Sequence, residues 1–201
     1  MRFRSLDILS GYLLDGQQWL VRGPTFDPSA CGREIVRRHA CSSGGLAGAA
    51  RHLAMLDLPR REELERFAAR LDGRGEPLEG HKHFWRSDLT VHHRPDLYVS
   101  VRVTSPRLVQ SELVNSENLL GRHLADGVAY LMRRGDEYRN IFGVWDWKRL
   151  PGITVELDGQ PPTLRNGQRG ENAFAGGVSD GRIGVTAMDF RRGSLQARKA
   201  W

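Results

Sequence analysis

Two carboxamides and a carboxylate stand together in Asn115-Ser116-Glu117-Asn118, followed by Leu119-Leu120-Gly121. Ala125-Asp126-Gly127 comes next, and then the aromatic-acidic stretch Val144-Trp145-Asp146-Trp147. Packing alone does not ask for such a pattern. Amides and acids can bind sugar hydroxyls, and indole faces can stack on sugar rings. A carboxylate between amides, here Glu117, can also orient a cationic partner such as an arginine or a protonated histidine. The plainer alternatives stay open. Asn and Ser favour polar turns and helix caps, and large aromatics more often fill a core, as we expect for at least one of Trp145 and Trp147.

Arg33 and Arg37 are the second candidate group. Four residues apart on a helix, they would share one face. Neighbouring guanidiniums repel unless an anion lies between them, so the pair could face a carboxylate or sulfate, or hold a catalytic phenol. A solvated basic face is the alternative. His81, His83, His92 and His93 invite a metal reading, but no third acidic or thiol ligand has a recognisable spacing nearby. No phosphate-cradling glycine pattern is present. We therefore expect no metal and no cofactor. Cys31 and Cys41 are compatible with one disulfide or with two buried thiols.

The 201 residues carry a net charge of +6, and most of the basic residues are arginine. Guanidinium grips carboxylate and sulfate oxygens in pairs, which ammonium cannot do. Such a surplus suits a polyanion, either nucleic acid or an acidic polysaccharide, though solubility alone would also explain it. No apolar run approaches the roughly 20 residues needed to span a bilayer. Asp7 interrupts the apolar part of the N-terminus and no clean cleavage site follows, so that stretch reads as an amphipathic helix rather than a signal peptide.

The elements that must position these groups fall into two runs. Residues 1–75 read as helical. Leu6, Leu9 and Leu13 mark one face, and Gly16 suggests a stop. Residues 25–29 form a loop, with Asp27 or Ser29 as a cap. A short helix then carries residues 33–38. Ser42-Ser43-Gly44-Gly45 breaks the pattern, residues 46–56 form another helix, and Pro59 opens the next as a first-turn residue. Leu64, Phe67, Ala68 and Leu71 are its apolar stripe. From residue 76 strands take over. Residues 98–104 alternate, with Val99, Val101 and Val103 on one face and Ser100, Arg102 and Thr104 on the other. Residues 128–132 and 153–157 read as strands, with Arg134-Gly135-Asp136 as a turn. Residues 173–178 and 183–188 flank the hairpin signal Ser179-Asp180-Gly181. Residues 194–201 begin one more strand. Helices followed by antiparallel strands argue for an α+β fold or two domains, 1–75 and 76–201. A β-region ending in mid-strand leaves an open edge, as a fragment would.

The ordered series of motifs resembles polysaccharide lyase family 8, which includes hyaluronate, chondroitin AC and xanthan lyases. The resemblance begins at Leu14-Asp15-Gly16-Gln17-Gln18-Trp19, Phe26-Asp27 and Gly32-Arg33-Glu34-Ile35-Val36-Arg37. It runs through His92-His93-Arg94-Pro95, Asn115-Ser116-Glu117-Asn118-Leu119-Leu120-Gly121, Ala125-Asp126-Gly127-Val128 and Val144-Trp145-Asp146-Trp147. Leu150-Pro151-Gly152-Ile153-Thr154, Gly176-Gly177-Val178-Ser179-Asp180-Gly181 and Ala187-Met188-Asp189-Phe190 carry it nearly to the end. The Trp-Asp-Trp form looks most like the chondroitin AC branch.

The resemblance implies the last helices of an α/α toroid in residues 1–75 and the opening of an antiparallel β super-sandwich in residues 76–201. It implies β-elimination on uronic-acid polysaccharides. In the family an Asn neutralises the uronate, a Tyr helped by a His moves the proton, an Arg pair supports them and a sandwich-domain Glu orients the network. Carried over by residue, Arg33 and Arg37 match the arginine pair and Glu117 the glutamate, with Asn115 and Asn118 as substrate-binding neighbours. The expected catalytic His and Tyr have no match here. The expectation is thus a truncated lyase, inactive or nearly so alone, or else a non-catalytic module that binds acidic polysaccharide. Its partner would be that polysaccharide rather than nucleic acid or membrane, and it would act in an extracellular or periplasmic setting.

Overall fold

The computed structural model describes residues 4–30, 42–113, 117–141 and 143–201. The short helix expected over residues 33–38, the pair Arg33 and Arg37, both cysteines and Asn115 lie outside the described residues.

Helix α1 spans Arg4–Gly11 and runs into a wide turn at Tyr12–Gly16 and a tight one at Gln17–Leu20. The change of pitch rotates the side chains away from a single stripe. Leu13 and Leu14 are buried, whereas Leu9 is 48% exposed, which corrects the expected Leu6-Leu9-Leu13 face. Gly16 ends the wide turn with a non-helical backbone (φ −116°, ψ −82°), as its reading as a stop expected, and the tight turn follows it. Two-residue strands β1 (Val21–Arg22) and β2 (Thr25–Phe26) pair as a small hairpin where a loop was expected from residue 25. Helix α2 is Leu46–Ala54 and α3 is Arg61–Leu71. Pro59 lies in the turn before α3 rather than in its first turn. Glu62 and Glu63 at the start of α3 and Arg70 at its end suit the helix dipole. Leu64, Phe67 and Ala68 are buried against Leu13, Leu14, Ala50 and Ala54, and Leu71 packs beside them, so the expected stripe is the core of this part.

Two antiparallel sheets follow. The first has the order β3 (Gly80–Phe84), β4 (Leu89–Arg94), β5 (Leu97–Arg102), β6 (Val128–Met132). The second has β7 (Phe174–Ser179), β8 (Gly184–Arg192) and β9 (Leu195–Ala200), joined as the hairpin signal indicated. In the first sheet Tyr98 pairs with Met132 and Ser100 with Tyr130, which puts Val91, Tyr98, Ser100, Arg102 and Tyr130 on one face. That face packs against Trp19 and Leu20 from the helical part. The other face carries Val101, which with Val103 meets Met188 and Phe190 of the second sheet. Both faces of β5 are thus covered, and Ser100 is as buried as Val91. No strand forms over residues 153–157. Pro151 O accepts from Ala129 N at 2.9 Å, but the chain then leaves β6, and Leu157 is exposed.

Candidate functional site

The loop that carries Glu117 is shaped by its neighbour. Asn118 adopts a left-handed backbone (φ 54°) and is buried; asparagine tolerates this conformation better than most residues. Its Nδ2 donates to Glu112 O at 3.2 Å and lies 3.4 Å from Ser111 Oγ, so the amide works within the loop. Gly121 N donates to Asn118 O at 2.8 Å and closes the turn. A Cβ on Gly121 would stand 2.9 Å from a terminal methyl of Leu124, so a larger residue there would make that side chain shift. Leu164 N donates to Leu119 O at 2.9 Å and fastens the outside. Glu117 is half-buried at the start of this turn.

Beneath the loop lies a charged hub. Asp126 is fully buried, and both its carboxylate oxygens accept from Arg192 Nη2, at 2.5 and 2.6 Å. His123 Nδ1 lies 2.8 Å from the same carboxylate. Lys199 Nζ donates to Asp126 O at 3.1 Å and to Gly152 O at 2.7 Å. Burial brings that amine down to about 8, against the opposing pull of Asp126. Arg122 projects beside the hub into a cleft of about 260 Å³ shared with Lys148, Asp158 and Arg192. No ion pair engages Arg122 among the described residues.

A second anchor sits where the chain enters residues 31–41. Asp27 is fully buried and its Oδ1 accepts from Ser29 N at 2.6 Å, which caps the short turn Pro28–Ala30; the helix it was expected to cap lies outside the described residues. The hydroxyls of Ser100, Tyr98 and Ser29 face this carboxyl. Burial still pushes it above the usual carboxylate range, and it pushes Tyr98 up as well. Arg102 joins the two anchors. Its Nη1 donates to Ser29 O at 2.6 Å, while its own carbonyl accepts from Gly127 N at 2.9 Å. The segment leading to Arg33 and Arg37 and the segment descending from Glu117 are therefore bonded to one residue.

Of the residues singled out from sequence, Glu117 and Asn118 share this loop. Trp145 and Trp147 pack together with ring centroids 5.7 Å apart and lie against Tyr130 and Leu150, so both contribute to a core. Sequence reasoning quoted Asp126 only as part of a motif, named Arg102 only as part of a strand face, and passed over His123 and Arg192. Arg102 carried a signal, being a charge inside a strict strand alternation. Arg192 carried none, because its partner lies 66 residues away. Among the described residues no group of three His, Cys, Asp or Glu side chains could hold a metal, and no helix is long and apolar enough to cross a membrane.

Helices docked on one face of an antiparallel sheet, with a second sheet on the other and an acid-bearing loop at one end, make up part of a super-sandwich protein. The chain belongs to polysaccharide lyase family 8, and residues 79–201 match that family's super-sandwich domain. It is 40% identical to a chondroitinase AC of Pedobacter heparinus over 98% of its own length and 29% of that protein. It is 32% identical to a hyaluronate lyase of Thermasporomyces composti over 78% of its length and 19% of that protein. A solved chondroitinase AC lyase superposes with a TM-score of 0.90 at 37% identity, over all of this chain and 31% of that one. A Paenibacillus xanthan lyase shares the fold, with a TM-score of 0.76 over 90% of this chain and 21% of that one, at 23% identity. The chain thus spans about a third or less of these relatives.

Proposed function

We propose that this chain is the glycan-facing junction of a polysaccharide lyase that cleaves uronic-acid polymers of the chondroitin, hyaluronan or xanthan type by β-elimination. Residues 1–75 would be the closing helices of an α/α toroid and residues 76–201 part of the super-sandwich. The observation that carries the reading is the double role of Arg102, which ties the approach to Arg33 and Arg37 and the descent from Glu117 to one strand. In this reading Arg33 and Arg37 hold the substrate anion and the reacting phenol. Glu117 orients that network, Asn115 contacts the sugar, and Asn118 serves binding from beneath by fixing the loop.

The chemistry asks for donors aimed at a charge that develops beside an existing carboxylate. A positioned acid and base add on the order of a hundredfold to ten-thousandfold. Among the described residues Tyr98 and Tyr130 are buried in the sheet and His123 is engaged by Asp126. These tyrosines and this histidine are thus not free to serve as that acid and base. We therefore expect little or no turnover by the chain alone, and action in the extracellular or periplasmic space where such polymers occur.

The test is incubation with chondroitin, hyaluronan and xanthan, monitored by the ultraviolet absorbance of the unsaturated uronate product. Binding is measured in parallel at low and high salt. Salt-sensitive binding that weakens in Glu117→Gln and in the Arg33→Ala, Arg37→Ala double variant supports the reading. Absence of binding to all three polymers would refute it. The alternative, a module that only binds acidic glycan, is favoured by Arg122, which has no ion pair among the described residues although Glu156 and Asp158 share its cleft. It predicts binding that depends on Arg122 and is indifferent to Glu117→Gln.

A further inference from the structure

At the other end of β6 the structure holds a second concentration of positive charge. A cavity of about 290 Å³ opens between the C-terminal end of α3 and the turn after β6, and it is lined by Arg22, Arg70, Arg74, Arg133, Arg134 and His93. None of its lining residues is an aspartate or a glutamate. The walls are rigid. A Cβ on Gly135 would fall 1.7 Å from Arg22 O, and one on Gly23 would fall 2.1 Å from Arg134 O. The β1–β2 turn and the turn after β6 therefore interlock through two glycines. Arg22 is locked by donating to the carbonyls of Arg133 (2.7 Å), Arg94 (3.2 Å) and Pro95 (2.8 Å).

The charges in this cavity are unequally compensated. Arg74 and Arg134, at the rim, pair with Asp72 and Asp136. The adjoining cleft holds two carboxylates, Asp96 and Glu137, which both act on Arg22, and Glu137 accepts from the backbone N–H groups of Arg133, Arg134 and Gly135. Arg70 is half-buried, donates to the neutral Gln18 Oε1 at 2.5 Å and has no carboxylate partner among the described residues. Arg133 has no side-chain hydrogen bond or ion pair among the described residues. His93, beneath them, is 2% exposed, and Arg22 and Arg70 both act on its imidazole. Arg70 and Arg133 have no ion pair among the described residues, and the cost of gathering them in this cavity is one that an anion would recover.

We propose that this cavity is an oxyanion site that accepts one sulfate or carboxylate group, gripped by Arg70 and Arg22 at its floor and by Arg133 at its mouth. Planar guanidinium suits such groups because it donates in pairs. The site lies past the C-terminal end of β6, whereas the segment from Glu117 enters at its N-terminal end, and it stands whether or not the chain cleaves a polysaccharide.

The test is a nuclear magnetic resonance titration of the isotope-labelled 201-residue chain with sodium sulfate, at ionic strength held constant with sodium chloride. The expected result is a saturable shift confined to the amides of Gly23, Gly73 and Gly75 and to the His93 ring. The bound anion should also raise the titration midpoint of His93, because a negative neighbour favours imidazolium. Arg133→Gln, at an exposed side chain with no structural bond, should weaken binding about tenfold or more. Arg70→Gln should do the same if it folds. Parallel titrations with a chondroitin 4-sulfate tetrasaccharide and a hyaluronan tetrasaccharide identify the source of the anion. Displacement of sulfate by the first alone assigns a sulfate ester, displacement by both a uronate carboxylate, and by neither a free inorganic ion. Shifts that stay linear in sulfate, spread over the surface or persist unchanged in Arg133→Gln would overturn the proposal.

Discussion

Arg192, at the end of β8, donates to both carboxylate oxygens of Asp126, and this pair pins the second sheet to the loop descending from Glu117. The acid is fully buried and the guanidinium is nearly so. Loop position and sheet packing are therefore one event, and the acid at the top of the loop inherits its rigidity from a strand far away in sequence.

Arg192→Met strands a buried carboxylate and should cost about 3–5 kcal/mol. Arg149→Ala, which breaks only the exposed pair with Asp146, should cost less than about 1 kcal/mol. Urea unfolding of the two variants compares them directly. Similar losses from both would show that the Asp126 pair does not hold the loop.

Two glycines should respond to alanine with opposite signs. Gly135 has φ 99° and faces Arg22 O, so Gly135→Ala should destabilise by more than about 2 kcal/mol. Gly48 lies inside α2 with open space around it, and Gly48→Ala should stabilise by about 0.5–1 kcal/mol. Thermal melts of both variants give the answer, and a neutral Gly135→Ala would mean that the interlocked turns can part.

His93 predicts a pH dependence. Burial, outweighing the Nε2 contact with Trp19 O, brings its imidazole from 6.5 down to about 4. Between those values the unfolded chain binds the proton and the folded one does not. The stability is fully present above the unfolded value and is lost as pH falls toward the folded one. The loss amounts to roughly 3 kcal/mol. His93→Gln, measured in buffer free of sulfate and phosphate, should flatten that window. An unchanged slope would assign the dependence to other groups.

Leu64 is fully buried at the centre of the helical core. Leu64→Ala should cost about 2–5 kcal/mol, while Leu157→Ala, at an exposed side chain, should stay within about 0.5 kcal/mol. Equal effects would contradict the placement of that core.

Much of the architecture was legible because it rests on local rules. The period of Leu64, Phe67 and Ala68 marks a helix face whatever lies opposite. The alternation through Val99 and Val101 marks a strand, and Ser179-Asp180-Gly181 turns the chain tightly enough to need no distant help. The expectations that failed needed a partner. Residues 153–157 alternate, but a strand exists only if an edge accepts its hydrogen bonds, and β6 takes one at Pro151 and no more. Leu9 lost its face when the helix changed pitch beyond Gly11, a rearrangement that depends on what α2 and α3 offer Leu13 and Leu14.

The amino-acid order alone determined that helices precede antiparallel strands, and its motif series placed the chain among the family 8 lyases. Periodicity and turn chemistry act over a few residues, so they survive in a one-dimensional reading. Only the tertiary structure decided that Arg102 joins Ser29 to Gly127, that Arg192 meets Asp126, and that Arg22, Arg70 and Arg133 surround one cavity. Long-range pairings of charge carry no mark in the sequence, because any arginine can reach any acid until the packed backbone leaves it a single choice.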